Sequence, residues 1–350
     1  MLARALLFTA SLLGSLAVSG VAAAPATTSA DGLLQYALTL EHLDEAFYKV
    51  ALEKFSEREF RECGVERTLI EQIAEHEVVH VQVLQSLLGS KATKPCEHSF
   101  PDTDVPSFKA LAQTLEGMGA SAYIGAAQYV TNKPLLTAAA VIIATEARHA
   151  AWLATTNDRD PWAGAFETPL ALSQVYSIAA PFIVSCPATN PPLPVRAFPA
   201  LTLAAPANGS IKPNSTLTLT VPHDFAYDAD ADCLYVAFLS GLGVAYVPYR
   251  VNGTVVVPQD VASTGTIYAV LTNSNSSATD DTTVAGPVVL VFEGHYPHLP
   301  HSCDSSDESE GSGSQVAGSG TPGTEGRGGD GAGEGARGGG LPLPGLGGIL

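Results

Sequence analysis

The chain has 350 residues, 46% of them hydrophobic, with 35 acidic against 17 basic side chains and a formal charge of −18. That length suits two domains. The charge excludes a nucleic-acid partner, because phosphate binding needs a basic surface.

Arg4, an apolar run from Ala5 to Gly20 and the small residues Ala22-Ala23-Ala24 read as a signal peptide over residues 1–24. The run is too short for a membrane span, and no later stretch is long and apolar enough to be one. A secreted, extracellular chain with no transmembrane anchor is expected.

The first half reads as helical. Asp31 is placed to cap a helix carrying Leu33, Leu34, Ala37, Leu38, Leu40, Phe47 and Leu52. A second helix starts near Thr68, with Glu71 completing a capping box, and stops at Gly89. Residues 90–106 form a long connection with prolines and a cysteine. Ser107 caps a third helix, in which Gly117, Gly119 and Gly125 lower helix propensity and suggest a close helix contact. Asn132 caps a fourth, with Pro134 in its first turn; its apolar run from Leu135 to Ala144 predicts deep burial. Thr168-Pro169 opens a fifth helix, ending near residues 181–187. Short links join helices one to two and three to four, and a long one joins two to three. A bundle with one long crossover follows, since a long connection lets two helices run the same way.

Residues 188–200 are proline-rich and read as a linker. Beyond it lie short β-prone runs at 217–221, 234–239, 243–247, 254–257, 266–271 and 288–292, separated by Gly, Pro, Asn and Asp. They predict a β-sandwich-like domain over 201–295. Asn208, Asn214, Asn252 and Asn275 head Asn-x-Ser/Thr sequons, so a glycoprotein is expected. Residues 302–350, rich in Ser, Gly and Glu, read as a disordered tail, with which a cell-wall or surface association is compatible. His295, His298 and His301 recur every third residue between prolines and offer at most a weak surface metal site.

The cysteines are Cys63, Cys96, Cys186, Cys233 and Cys303. In an oxidising compartment disulfides are expected, and the odd count leaves at least one outside an internal pair. Cys96, in the long connection, and Cys186, just past the helices, suit a staple, although connectivity stays open. No Cys-x-x-Cys occurs, so a zinc ribbon has no support.

The chemistry lies in two copies of Glu-x-x-His, Glu77 to His80 and Glu146 to His149, with Glu41 and Glu116 on the other two helices. A spacing of three puts Glu and His on one helical face. Four such helices can hold two metal ions in a bundle core. Hard oxygen and borderline imidazole donors suit iron or manganese. Solvated helix faces are the bland reading of any one such motif. His42 and His76 neighbour these residues but face elsewhere by helical rotation. Glu45, Glu71 and Glu75 lie off the paired pattern.

The phrases Leu40-Glu41-His42-Leu43, His76-Glu77-Val78-Val79-His80 and Leu115 to Tyr123 resemble the ferritin-like superfamily. More narrowly, they are similar to secreted fungal stress-response and plant desiccation-related proteins, over about half the chain and into Ser185-Cys186-Pro187. The resemblance implies a ferritin-like four-helix bundle plus a fifth helix over 31–187; with the β-sandwich-like domain and the tail that follow, the expected fold class is an α+β multidomain chain. It implies Glu77 and Glu146 as bridges, Glu41 with His80 completing one metal, and Glu116 with His149 the other. The expected cofactor is two Fe ions, with two Mn ions as the alternative, meeting dioxygen or hydrogen peroxide. Tyr48, seven residues after Glu41, either bonds a ligand or passes electrons by resemblance, or simply packs as a core aromatic. The added β region, the sequons and the glycines near Glu116 depart from a ferritin subunit and argue against a storage cage. The expected activity is oxidation of iron or a small substrate, or peroxide and stress defence. The rival is a non-enzymatic cell-surface or stress-related protein with a weak metal site.

Overall fold

A computed structural model of the chain describes residues 29–204, 211–222, 233–250, 252–262 and 264–292. The expected signal peptide over 1–24, Asn208, the three histidines at 295, 298 and 301, Cys303 and the stretch 302–350 lie outside the described residues.

Helix α1 (Ala30–Lys54) is capped by Ser29, whose Oγ accepts from the Gly32 amide, rather than by Asp31, which sits in the first turn. A carboxylate there still favours the helix N-terminus. A short helix α2 (Glu57–Glu62) follows, closed by a Ser56/Glu59 capping box; six residues are too few to show a period in sequence. Helix α3 (Arg67–Leu88) has no side-chain cap, in place of the expected Thr68/Glu71 box. Arg67 instead bonds Glu71 and the carbonyls of Leu52 and Phe55, tying the start of α3 to the end of α1. Gly89 ends α3 at φ 57°. Helix α4 (Val105–Ala127) is capped by Asp104, with Ser107 as its reciprocal partner. Helix α5 (Lys133–Thr156) is capped by Asn132, with Pro134 in its first turn. Helix α6 (Leu172–Ala179) starts later than Thr168-Pro169. The Thr168 hydroxyl and the Leu170 amide are engaged elsewhere, with the Gly241 amide and the Ser121 carbonyl.

Leu38 packs with Val81, Leu84 and Leu88, while Arg67 reaches Leu52, so α1 and α3 run antiparallel. Lys109 bonds the Thr156 carbonyl and Glu116 meets His149, so α4 and α5 do too. The long crossover from α3 to α4 contains strand β1 (Glu97–His98), which pairs with β2 (Ile183–Ser185). The Cys96–Cys186 disulfide staples that pair.

The burial expected for α5 is overturned. Its buried residues are Ile142, Glu146, His149, Leu153 and Ala154, whereas Val141 is 61% and Leu136 37% exposed. A helix at the edge of a bundle buries one stripe, and the apolar residues off that stripe face outward.

The β region contains β3 (Thr202–Ala204), β4 (Thr216–Thr220), β5 (Tyr235–Ser240), β6 (Gly243–Pro248), β7 (Thr254–Val256), β8 (Gly265–Thr272) and β9 (Thr283–Phe292). Each of the six anticipated runs falls on a strand. The three-residue β3 gave no readable pattern, and β9 starts five residues earlier than expected, with Gly286-Pro287 inside it. Antiparallel sheets form in the orders β3-β4-β7 and β6-β5-β8-β9. Val236, Phe238, Ile267, Ala269 and Leu271 of the larger sheet share a core with Leu217, Leu219 and Val255 of the smaller one. The alternate residues Ala237, Leu239, Tyr268 and Val270 join the helical core. The larger sheet is thus a middle layer buried on both faces, which explains its unbroken apolar runs. The proline-rich stretch lies along α6, where the Arg196 and Phe198 amides donate to Ser173 and Ser177 hydroxyls.

Candidate metal centre

Four helices each bring buried ligand-type side chains to one place in the bundle. They are Glu41 from α1, Glu77 and His80 from α3, Glu116 from α4, and Glu146 and His149 from α5, none more than 8% exposed. The i, i+3 spacing aims both members of each Glu-x-x-His pair inward. Glu41, Glu77, His80 and Glu146 form one group, and Glu77, Glu116, Glu146 and His149 a second; within each, donor atoms lie within 4.8 Å of one another. Glu77 and Glu146 belong to both groups.

Both imidazoles present Nδ1. That of His80 lies 3.0 Å from Glu77, 3.2 Å from Glu146 and 3.3 Å from Glu41. That of His149 lies 3.1 Å from Glu116 and 3.3 Å from Glu77. Buried Oε2 of Glu41 and Oε1 of Glu77 and Glu146 have no partner other than an imidazole Nδ1 at 3.2–3.3 Å, which several carboxylates share. Buried carboxylate oxygens that compete for so few donors are costly, and a cation shared between them removes that cost. The donor set therefore fits two metal ions.

The cluster also holds protons tightly. Burial, then the charge of Glu116, pushes Glu77 up to about 7 despite bonds from both histidines. Burial, followed by Glu116 and Glu77, raises Glu146 well above the carboxylate range. Burial opposes the charged form of His149, but the Glu116 and Glu77 carboxylates outweigh it and lift the ring to about 9. His80 is raised in the same way, with bonds to Glu146, Glu41 and Glu77 outweighing desolvation.

Two tyrosines cross the site. Tyr48 Oη donates to Glu116 Oε1 at 2.5 Å, and Tyr123 Oη donates to Glu41 Oε1. Each tyrosine lies seven residues after one of these glutamates and bonds the other. Tyr123 escaped the sequence reading, although the Glu116–Tyr123 spacing repeats that of Glu41–Tyr48. The expectation that Tyr48 either bonds a ligand or merely packs resolves into both: it is 1% exposed, stacks edge-on with Phe47 and Phe108, and bonds Glu116.

Gly119 of α4 has a specific reason. A Cβ there would lie 2.6 Å from Glu146 Oε2, so the glycine makes the space that the carboxylate fills. Gly125 instead gives way to the Leu170 carbonyl, where the chain crosses α4 before α6.

His76 is exposed, as helical rotation suggested, but its ring still reaches the rim of the cluster. Its ring stacks on His149 at 5.1 Å and 6°, with Nδ1 2.8 Å from His149 Nε2. The partner helix, not the period of α3, decides what its side chain meets. His42 stays outside the cluster, buried, with Nδ1 3.3 Å from Glu45. Asp44, one turn after Glu41, was also missed; it is 3% exposed, its Oδ1 has no partner, and burial plus the site carboxylates raise its pKa. Glu71 pairs with Arg67 and Glu75 is exposed.

Residues 30–158 match the family model described as a ferritin-like domain. The chain is also 30% identical over 262 residues to Protein rds1 of Schizosaccharomyces pombe (strain 972 / ATCC 24843). That match covers 63% of this chain and 65% of the relative, so the chain spans just under two thirds of that protein's length.

Proposed function

We propose that the buried cluster of residues 30–158, the stretch that matches a ferritin-like domain model, would hold two metal ions, with Glu77 and Glu146 shared between them. Glu41 and His80 complete one ion, Glu116 and His149 the other. The observation that carries this reading is the convergence of four buried carboxylates and two imidazoles in two overlapping four-residue groups, with Oε2 of Glu41 and Oε1 of Glu77 and Glu146 sharing only those two rings as donors. Iron is the proposed metal and manganese the variant, since oxygen and imidazole donors barely separate them.

Two such ions supply redox chemistry toward dioxygen or hydrogen peroxide. The chain's own part is to position and to exclude. Tyr48 and Tyr123 hold the terminal carboxylates in one orientation, as hydrogen bonds to ligands generally do. The Nδ1 atoms of His80 and His149 face inward, and the bond from His149 Nε2 to His76 fixes that ring. Aromatic and aliphatic packing by Phe47, Phe108 and Leu115 keeps water from the cluster. The proposed activity is oxidation of iron or a small substrate, or removal of peroxide in stress defence. We further propose that the chain is secreted and glycosylated, supported by the Ala5–Gly20 run, the sequons and the Cys96–Cys186 disulfide.

Elemental analysis of the purified full chain tests the site. About two iron or manganese ions per chain, lost in the Glu77→Ala plus Glu146→Ala double variant, are expected. A wild-type chain that neither carries nor takes up metal sinks the proposal. Consumption of dioxygen or peroxide by the loaded protein then tests the activity.

A further inference from the structure

Outside the acidic and histidine cluster there is a cleft of about 360 Å³ between α4, α5, the α5–α6 connection and one end of the inner strands β5 and β8 of the larger sheet. Its volume falls at the lower end of small-ligand pockets. Two aromatic side chains of the connection wall it, Trp162 at 75% and Phe166 at 64% exposed. They are the two most exposed of the large hydrophobic side chains among the described residues. Leaving an indole and a phenyl ring this open forgoes the burial that normally stabilises them.

The connection that carries them is held in place. Thr264 Oγ1 donates to the Ala163 carbonyl at 3.1 Å, and the Gly241 amide donates to Thr168 Oγ1 at 2.7 Å. Asp160 accepts from the Trp162 amide at 2.9 Å. Gly265, at φ +88°, leaves the room that Ala163 occupies. These contacts bracket Trp162 and Phe166 from both sides, so the rings are presented on a fixed support. The cleft's polar groups include Arg148, Glu167 and the Ser121–Tyr268 hydroxyl pair, which are 3.2 Å apart.

We propose that this cleft binds a neutral carbohydrate. The C–H face of a pyranose is apolar and flat enough to cover an indole, while its hydroxyl rim can pair with a carboxylate, a guanidinium and hydroxyls at once. A nucleobase would also stack on these rings. Its phosphates, however, would meet Asp160 and Glu167 on a chain of net charge −18. An uncharged polyhydroxyl ligand escapes that repulsion and uses both kinds of wall.

Trp152 and Trp162 are the chain's two tryptophans, so the full-length Trp152→Phe variant makes Trp162 the lone indole reporter. Its fluorescence is titrated with soluble hexasaccharides of glucose, mannose, xylose and N-acetylglucosamine. Calorimetry on the otherwise unaltered chain gives the same answer should that variant fold poorly. A saturable shift with at least one sugar is expected, with affinity, read by calorimetry, falling about tenfold or more in Trp162→Ala, whose exposed ring is dispensable for folding. No saturation with any sugar up to about 1 mM, or equal affinity in Trp162→Ala and Phe166→Ala, overturns the proposal. Saturation by charged peptides in place of sugars overturns it too. The readout requires no metal, so it stands apart from the proposed metal chemistry.

Discussion

Tyr48 of α1 donates its phenolic hydrogen to Glu116 of α4, across the bundle from the glutamate that shares its own helix. Tyr123 returns the bond to Glu41. The pair ties the Glu41 and Glu116 carboxylates crosswise and gives the cluster an approximate two-fold character.

Tyr48→Phe removes the donor and leaves Glu116 Oε1 buried without it. Outer partners of ligands typically contribute about 10–100-fold to metal affinity or activity. The variant is expected to keep its fold, lose about 1–3 kcal/mol of stability and bind the second ion at least about tenfold more weakly. Tyr123→Phe should do the same through Glu41. Competition titration with a metal chelator measures both, and unchanged affinities in the two variants would show that the tyrosines only pack.

Gly119→Ala and Gly125→Ala should separate site from fold. At Gly119 the added methyl meets the tip of Glu146. The helix gains propensity, about 1 kcal/mol for Gly to Ala, while the carboxylate must leave its position. Metal-free stability should hold or rise as metal binding falls. At Gly125 the methyl runs into the Leu170 backbone carbonyl, which no rotamer change relieves. A loss of about 2–3 kcal/mol or more is expected there. Chemical denaturation of both proteins checks the contrast, which would fail if Gly119→Ala unfolded as readily as Gly125→Ala.

Metal affinity should climb with pH. Glu77 at about 7 and His149 at about 9 must shed protons before an ion takes their place. Binding therefore releases protons, and apparent affinity should still be rising between pH 6 and 9. In the metal-free protein the sign is opposite. Glu77 binds more protons folded than unfolded between its ordinary value and about 7, and His149 does so between its ordinary value and about 9. The stability these groups contribute is present at low pH and is lost as pH rises through those values. Melting curves of the metal-free chain at pH 5, 7 and 9 should show falling Tm, and metal should reverse the trend. A Tm that rises with pH without metal would contradict the assignment.

Removing the Cys96–Cys186 bond opens a loop of sequence separation 90. Cys96→Ser with Cys186→Ser should lower unfolding free energy by about 2–4 kcal/mol. Since the bond lies in the β1–β2 pair and not among the ligands, metal stoichiometry should be unchanged. Urea denaturation with and without reductant reads the first, and elemental analysis reads the second.

Much of the cluster was legible in the chain because its information is local. Glu77 with His80, and Glu146 with His149, share a helical face by spacing alone, and the long connection read at 90–106 already implied two helices running the same way. The six strand runs were legible for a similar reason, since each is bounded by turn residues. The misses share a different cause. His76 stacks on His149, Gly119 yields to Glu146, and Tyr123 reaches Glu41, each a contact between helices far apart in sequence.

The sequence by itself determined the helices, the faces that carry ligand-type side chains and the spacing of the strands, because a period of 3.6 or 2 residues follows from backbone geometry. Only the tertiary structure decided which carboxylate meets which imidazole and which tyrosine bonds which glutamate. It also decided that α5 shows Val141 to the surface and that the larger sheet is buried on both sides. Those outcomes depend on how each element is rotated and seated against its neighbours, and that is settled by packing across the whole molecule.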